Sequence, residues 1–152
     1  MAILGGILLL ISTYLLAFQV TGPFNVYGTT AWLKLTNLFT SSTTHWYDYL
    51  FAIIFVLFLL SGFLLLIGAN KRGISIFSAL IALLIGFYIF ITIVSDILPY
   101  EAEVYVYSWF TSGELVPGIL PFNIPVGNAS LGLYLMLTGA VLGFIGGLMP
   151  RD

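Results

Sequence analysis

Two long apolar runs, residues 49–69 and 74–95, are separated only by Asn70-Lys71-Arg72-Gly73. Each is about 21 residues, which at ~1.5 Å of helical rise per residue spans the ~30 Å hydrocarbon layer of a bilayer. No ionisable side chain interrupts either run. The pair reads as a membrane hairpin. Asn70 and Gly73 tolerate the turn or left-handed conformations that close a helix. Lys71-Arg72 is the only pair of adjacent basic residues in the chain, and two of its four Lys and Arg residues in so short a loop place that loop on the cytoplasmic side.

Composition points the same way, because 61% hydrophobic against 7% charged residues leaves too little polar surface to coat a soluble globule of 152 residues. An integral membrane protein of one all-α domain is expected. With no cysteine, disulfides, thiolate catalysis and Cys-based metal sites are excluded. Four basic residues cannot neutralise a phosphate backbone, so nucleic acid is not an expected partner.

Residues 2–20 form a further apolar run, read as a retained first span. It lacks the basic n-region and small-residue cleavage site of a signal peptide. Ser12, Thr13 and Tyr14 in its middle can bond neighbouring helices or the helix's own carbonyls. Residues 131–149 make the fourth span, which gives four transmembrane helices with both termini cytoplasmic in a multi-pass protein of the cell membrane. In that last span Gly139, Gly143 and Gly147 recur every four residues, with Gly132 seven before the first and Gly146 beside the last. Spacing of four places three glycines on one helix face, a groove for close approach by another helix. The candidate partners are the first span, whose Gly5-Gly6 lies near the same inner leaflet, or the same face of a second copy.

The two outer loops are residues 21–48 and 96–128. The first mixes Phe24, Tyr27, Trp32, Phe39, Trp46 and Tyr47 with Thr, Ser, Asn and Gly, and its 26–35 stretch has strand propensity. Two readings compete for it: an ordered outer cap, and an aromatic belt at the headgroup level. His45 and Asp48 supply two metal ligands at most, where a site needs three or four. In the second loop, Pro99 ends the third span. Residues 100–110 alternate as a strand would, with Glu101, Glu103, Tyr105 and Tyr107 on one side, although the aromatic spacing also fits an interfacial helix. Glu101 and Glu103 are weighed as calcium ligands and read instead as a solvated acidic face. Pro117, Pro121 and Pro125 exclude both helix and central strand, leaving an extended apolar segment on the outer helix ends. Asn128-Ala129-Ser130 matches a glycosylation acceptor, with Asn128 or Ser130 more simply the N-cap of the last helix. Trp32, Trp46, Trp109, Tyr105 and Tyr107 are the candidate outer contact residues.

The layout resembles that of claudins and tetraspanins. The chain has neither the Trp-Gly-Leu-Trp-Cys-Cys signature of the first nor the Cys-Cys-Gly of the second, so no residue is carried over. The candidate titratable groups lie at or beyond the outer boundary, away from any buried nucleophile or metal site, so no enzyme activity and no cofactor is expected. The expected role is assembly, in contact with the lipid bilayer, as an accessory subunit beside other membrane proteins or as a self-associating component. The alternative is a homo-oligomeric channel or small-molecule transporter, which in one copy lacks an ionisable group near the bilayer midplane.

Overall fold

The computed structural model describes residues 1–19, 26–29, 35, 38, 39, 45–95, 97, 99, 104, 109, 116 and 119–150. The expectations placed on Trp32, Tyr105, Tyr107, Glu101 and Glu103 concern residues outside this set. The chain is mostly helical, with two small two-stranded sheets among the described residues. Among the described residues, three helical segments are long and apolar enough to cross a membrane: Trp46–Asn70, Arg72–Val94 and Leu131–Leu148.

The described elements run α1 (Ala2–Leu10), continued by a π turn (Ile11–Leu15), then β1 (Ala17–Gln19), β2 (Val26–Tyr27), α2 (Trp46–Ile67), α3 (Arg72–Val94), β3 (Pro125–Val126), β4 (Ala129–Ser130) and α4 (Leu131–Leu148). Helix α2 starts three residues before the apolar run because His45 is an extended N-cap whose N–H donates to Asp48 Oδ2 at 2.9 Å. The carboxylate thereby meets an orphan donor of the first turn. At its other end α2 tightens into a 3₁₀ turn, Gly68–Asn70, in which Lys71 N–H donates to Gly68 O at 2.8 Å.

That turn corrects the expected loop. Lys71 alone separates the two helices, Arg72 opens α3, and Gly73 sits inside the first helical turn rather than in a left-handed cap. The glycine the reversal requires is Gly68, where a Cβ would lie 2.6 Å from Ile74 Cγ2.

A second correction concerns the first span, expected to be helical over 2–20. The helix ends at Leu15, and Leu16 turns extended at φ −117°, ψ 145°. Its 9 α and 5 π residues rise only about 20 Å at the α-helical spacing. An extended backbone survives in so apolar a setting only where protein meets its polar groups. Here β1 pairs antiparallel with β2 through an irregular register, Ala17 with Tyr27 and Gln19 with Val26. On the other side Ala17 N–H donates to Phe122 O at 2.9 Å, and Phe122 N–H donates to Leu15 O at 2.7 Å.

The proline-rich stretch thus lies extended across the end of the first helical segment. It then closes a tight hairpin, β3 to β4, whose two-residue turn places Gly127 at φ +62°, a conformation glycine adopts without a Cβ penalty. Ser130 precedes α4, but its hydroxyl donates to Asn123 Oδ1 at 2.6 Å instead of capping the helix, and Asn128 is exposed in the turn.

Two apolar clusters hold these parts together. One gathers Phe18, Val26, Phe55, Phe58, Leu59, Ile89, Trp109, Leu133 and Met136 around the β1–β2 end. The other, Leu9, Leu65, Ala79, Ala82 and Ala140, lies toward the Lys71 end and is built of smaller side chains.

Candidate functional site: a glycine seam and a broken first helix

The most specific geometry in the molecule is the seam between the first segment and α4. A Cβ placed on Gly5 would lie 2.5 Å from Gly139 O and 2.5 Å from Gly143 N, so the two backbones are in direct contact. Seen from α4, a Cβ on Gly139 would meet Gly5 O at 2.8 Å and Leu9 N at 2.9 Å. One on Gly146 would run into Ala2 N, and one on Gly132 would meet Ala17 O at 2.5 Å. Gly132, Gly139 and Gly146 are seven residues apart, two helical turns, and they form the row that faces the first segment along its whole length. A seven-residue repeat keeps one stripe of a helix against a partner when the two wind gently about each other.

The four-residue row looks elsewhere. Gly143 points its missing side chain at the methyls of Leu65, at 2.8 and 2.9 Å, and at Ala79 Cβ at 3.5 Å. Gly147 points at Ile76 Cγ1 and Ser75 Oγ, at 2.7 and 3.3 Å. Gly6 faces α2, with Leu66 Cδ2 at 2.9 Å and Gly62 O at 3.1 Å. Of the glycines singled out in the sequence, the structure brings Gly5 together with Gly139 and Gly143, and turns Gly143, Gly147 and Gly6 toward α2 and α3. Gly132 and Gly146 complete the seam. Their seven-residue spacing was visible in the sequence, though the denser four-residue row masks it.

Above the seam the helix breaks. Ser12 is buried and its hydroxyl donates back to Leu9 O at 2.9 Å, while Tyr14 reaches across to Leu59 O on α2 at 2.5 Å. Thr13 lies between them with no exposure, and its hydroxyl has no hydrogen-bond partner among the described residues. The Thr29 hydroxyl and Gln19 Oε1 share that state, both within the β1–β2 knot that replaces the helix. Gly28 packs on Thr13: a Cβ there would lie 2.5 Å from Thr13 O and 2.8 Å from Thr13 Cγ2. Thr29, Gln19 and Gly28 carry no motif that single-sequence reading could have found. The one signal was a polar trio, Ser12-Thr13-Tyr14, inside an otherwise apolar run.

The aromatic candidates separate. Trp109 is buried, 6% exposed, with its ring 5.4 Å from that of Phe55. Trp46 is 76% exposed at the start of α2. Val104 and Trp109, the described residues of the 100–110 stretch, are helical, and the choice between its two sequence readings falls on residues outside the described set. Lys71 and Arg72 are exposed at the α2–α3 turn. Two apolar grooves mark the helix flanks, one of about 240 Å³ beside Leu38, Phe39 and Ile53 and one of about 270 Å³ between Leu57, Ile81 and Leu84. Comparison with family models, with curated proteins and with solved structures finds no match to the chain.

Proposed function

We propose that the chain is a non-catalytic integral membrane protein of the cell membrane whose role is assembly, as an accessory subunit of a larger membrane complex or as a self-associating component. In this reading it crosses the bilayer four times with both termini cytoplasmic. Three crossings are α2, α3 and α4. The first is composite: about 20 Å of helix followed by residues 16–19 in extended form, which add about 13 Å at ~3.3 Å per residue. Lys71 and Arg72 fix the α2–α3 turn inside.

The observation that carries the reading is the surface at the opposite end. Phe39, Trp46, Ile97, Ile119 and Phe122 are all more than half exposed there. Large apolar side chains left exposed at the outer ends of the spans and on the segments that join them are the mark of a protein or membrane contact. Trp109 and Val26, one from each outer loop, share one core cluster, which supports an ordered cap presenting that surface.

In mild detergent the protein is expected to migrate as an assembly larger than one chain, and Ile119→Glu with Phe122→Glu is expected to release a folded monomer. A wild-type monomer in native-like bilayers would overturn the assembly role. An impermeant thiol reagent should label Asn128→Cys but not Asn70→Cys in intact cells, and the reverse would invert the topology.

A second reading, a homo-oligomeric channel or small-molecule transporter, is favoured by one observation: the first crossing is discontinuous, with unmet buried oxygens at its break. A closed homo-oligomer with ion flux in liposomes would choose it over the first.

A further inference from the structure

The first half of α2 is flanked by part of the first outer loop. Leu35, Leu38 and Phe39 are helical there and stand at the i, i+3 and i+4 positions of one helix face. Leu35 and Leu38 pack on the core cluster of Phe55 and Trp109, whereas Phe39 is 81% exposed. These residues do not close on α2. Between the two lies the groove of about 240 Å³, with Ala52, Ile53 and Val56 on the α2 side. No residue lining it is charged, and Tyr49 alone among them carries a polar side-chain atom. Protein packs densely, and the walls of an unfilled gap lose dispersion contacts on one side. An apolar cavity of this kind stays dry and takes an apolar guest.

Position and shape select the guest. Helix α2 runs Trp46–Ile67, so Val56 and Leu57 lie at its midpoint. The groove follows α2 from Tyr49 to Leu57, which is about 12 Å at the helical rise. In a membrane span that is close to the depth of one leaflet, about 15 Å from headgroup level to midplane. At its upper end Trp46 and Tyr49 are 76% and 44% exposed, the residue types that mark headgroup level. Ile53 on its edge is 59% exposed, so the groove is continuous with the lipid-facing flank. About 240 Å³ spread over about 12 Å is a cross-section of about 20 Å², roughly a fifth of that of a helix 10–12 Å across. A partner helix would also follow the flank on to Ile67, whereas the groove stops halfway. An extended hydrocarbon chain is narrow enough, needs no hydrogen-bond partner and ends at the midplane.

We propose that the groove between α2 and Leu35, Leu38 and Phe39 holds one acyl chain of a phospholipid, with its headgroup at the level of Trp46 and Tyr49. The lipid belongs to the leaflet opposite Lys71, the outer one in the reading above. The site rests on α2 being a span and is independent of the assembly role. Its consequence is structural, since the bound chain fastens the first outer loop to α2.

The test is native mass spectrometry of the full chain, reconstituted in palmitoyl-oleoyl phosphatidylcholine nanodiscs and re-extracted into mild detergent. Wild type is expected to retain one phosphatidylcholine per chain. Val56→Phe and Ile53→Trp, which add bulk to the groove wall, should each lose it. Phe87→Trp, on the exposed face of α3 in the same leaflet, should keep it. Either groove variant suffices if the other fails to fold. A chain held in the nanodiscs that retains no phosphatidylcholine would overturn the site alone, and a chain that stays out of the bilayer would overturn the spanning reading with it. Retention undiminished in both groove variants, or a protein subunit bound in place of the lipid, would also overturn the proposal.

Discussion

The α2–α3 hairpin and the α1–α4 seam are both helix pairs in one small domain, yet they are built by opposite means. In the hairpin, long side chains such as Phe58, Leu59 and Ile89 fill the space between helices. In the seam the closest approach is main chain on main chain, and Gly5 lies against the backbone of Gly139 and Gly143. The consequence is a difference in tolerance. A side-chain interface can repack around a substitution, whereas two backbones in contact can only move apart. The seam therefore fixes the register of the first segment.

Gly5→Leu should produce the largest effect, because the new side chain starts 2.5 Å from main-chain atoms of α4. Overpacking costs typically 1–3 kcal/mol, and with backbone on both sides a loss of about 3 kcal/mol or more is expected in reversible detergent unfolding. A Gly5→Leu protein as stable as wild type would mean that α1 does not pack on α4.

Next in size is a pair that separates Gly139, common to both glycine rows, from Gly143, which belongs to the four-residue row alone. Gly139→Ala meets main-chain atoms at 2.8 and 2.9 Å and should cost about 1–3 kcal/mol. Gly143→Ala meets the far ends of the Leu65 side chain, which can turn aside, and alanine's helix propensity offsets the strain. It should stay within about 1 kcal/mol of wild type. The reverse order would show that Gly143, and not Gly139, turns its open side to the backbone of α1.

How much of this was legible differs between the same two regions. The hairpin helices are readable from apolar length alone, since Leu, Ile and Phe without charge over more than 20 residues have few other solutions. The break in the first segment is not, because a strand buried on both sides is as apolar as a buried helix. Ala17 and Phe18 are both 0% exposed and would read the same in either conformation. His45 and Asp48 were visible as a pair three residues apart, and that spacing is also that of a helix cap and its third residue, which is the use the fold makes of it. Hydropathy gives no weight to register, so the Gly132-Gly139-Gly146 row was visible as spacing but not as an interface.

The smallest effects come from two glycines with nothing within 4 Å of an added Cβ, Gly73 and Gly127. Gly127 has φ +62°, so Gly127→Ala should destabilise by about 1 kcal/mol through backbone strain alone. Gly73 is helical, so Gly73→Ala should stabilise by roughly 0.5–1 kcal/mol. Equal signs for the two in the same unfolding assay would contradict the helical start of α3 at Arg72.

The broken first segment is the claim on which the composite first crossing depends. Carbon chemical shifts of the isotope-labelled chain in nanodiscs test it directly. Helical secondary shifts through Leu15, extended shifts over Ala17–Gln19 and a cross-strand contact between Ala17 and Tyr27 are the predicted result. Unbroken helical shifts from Ala2 through Val20 would contradict it.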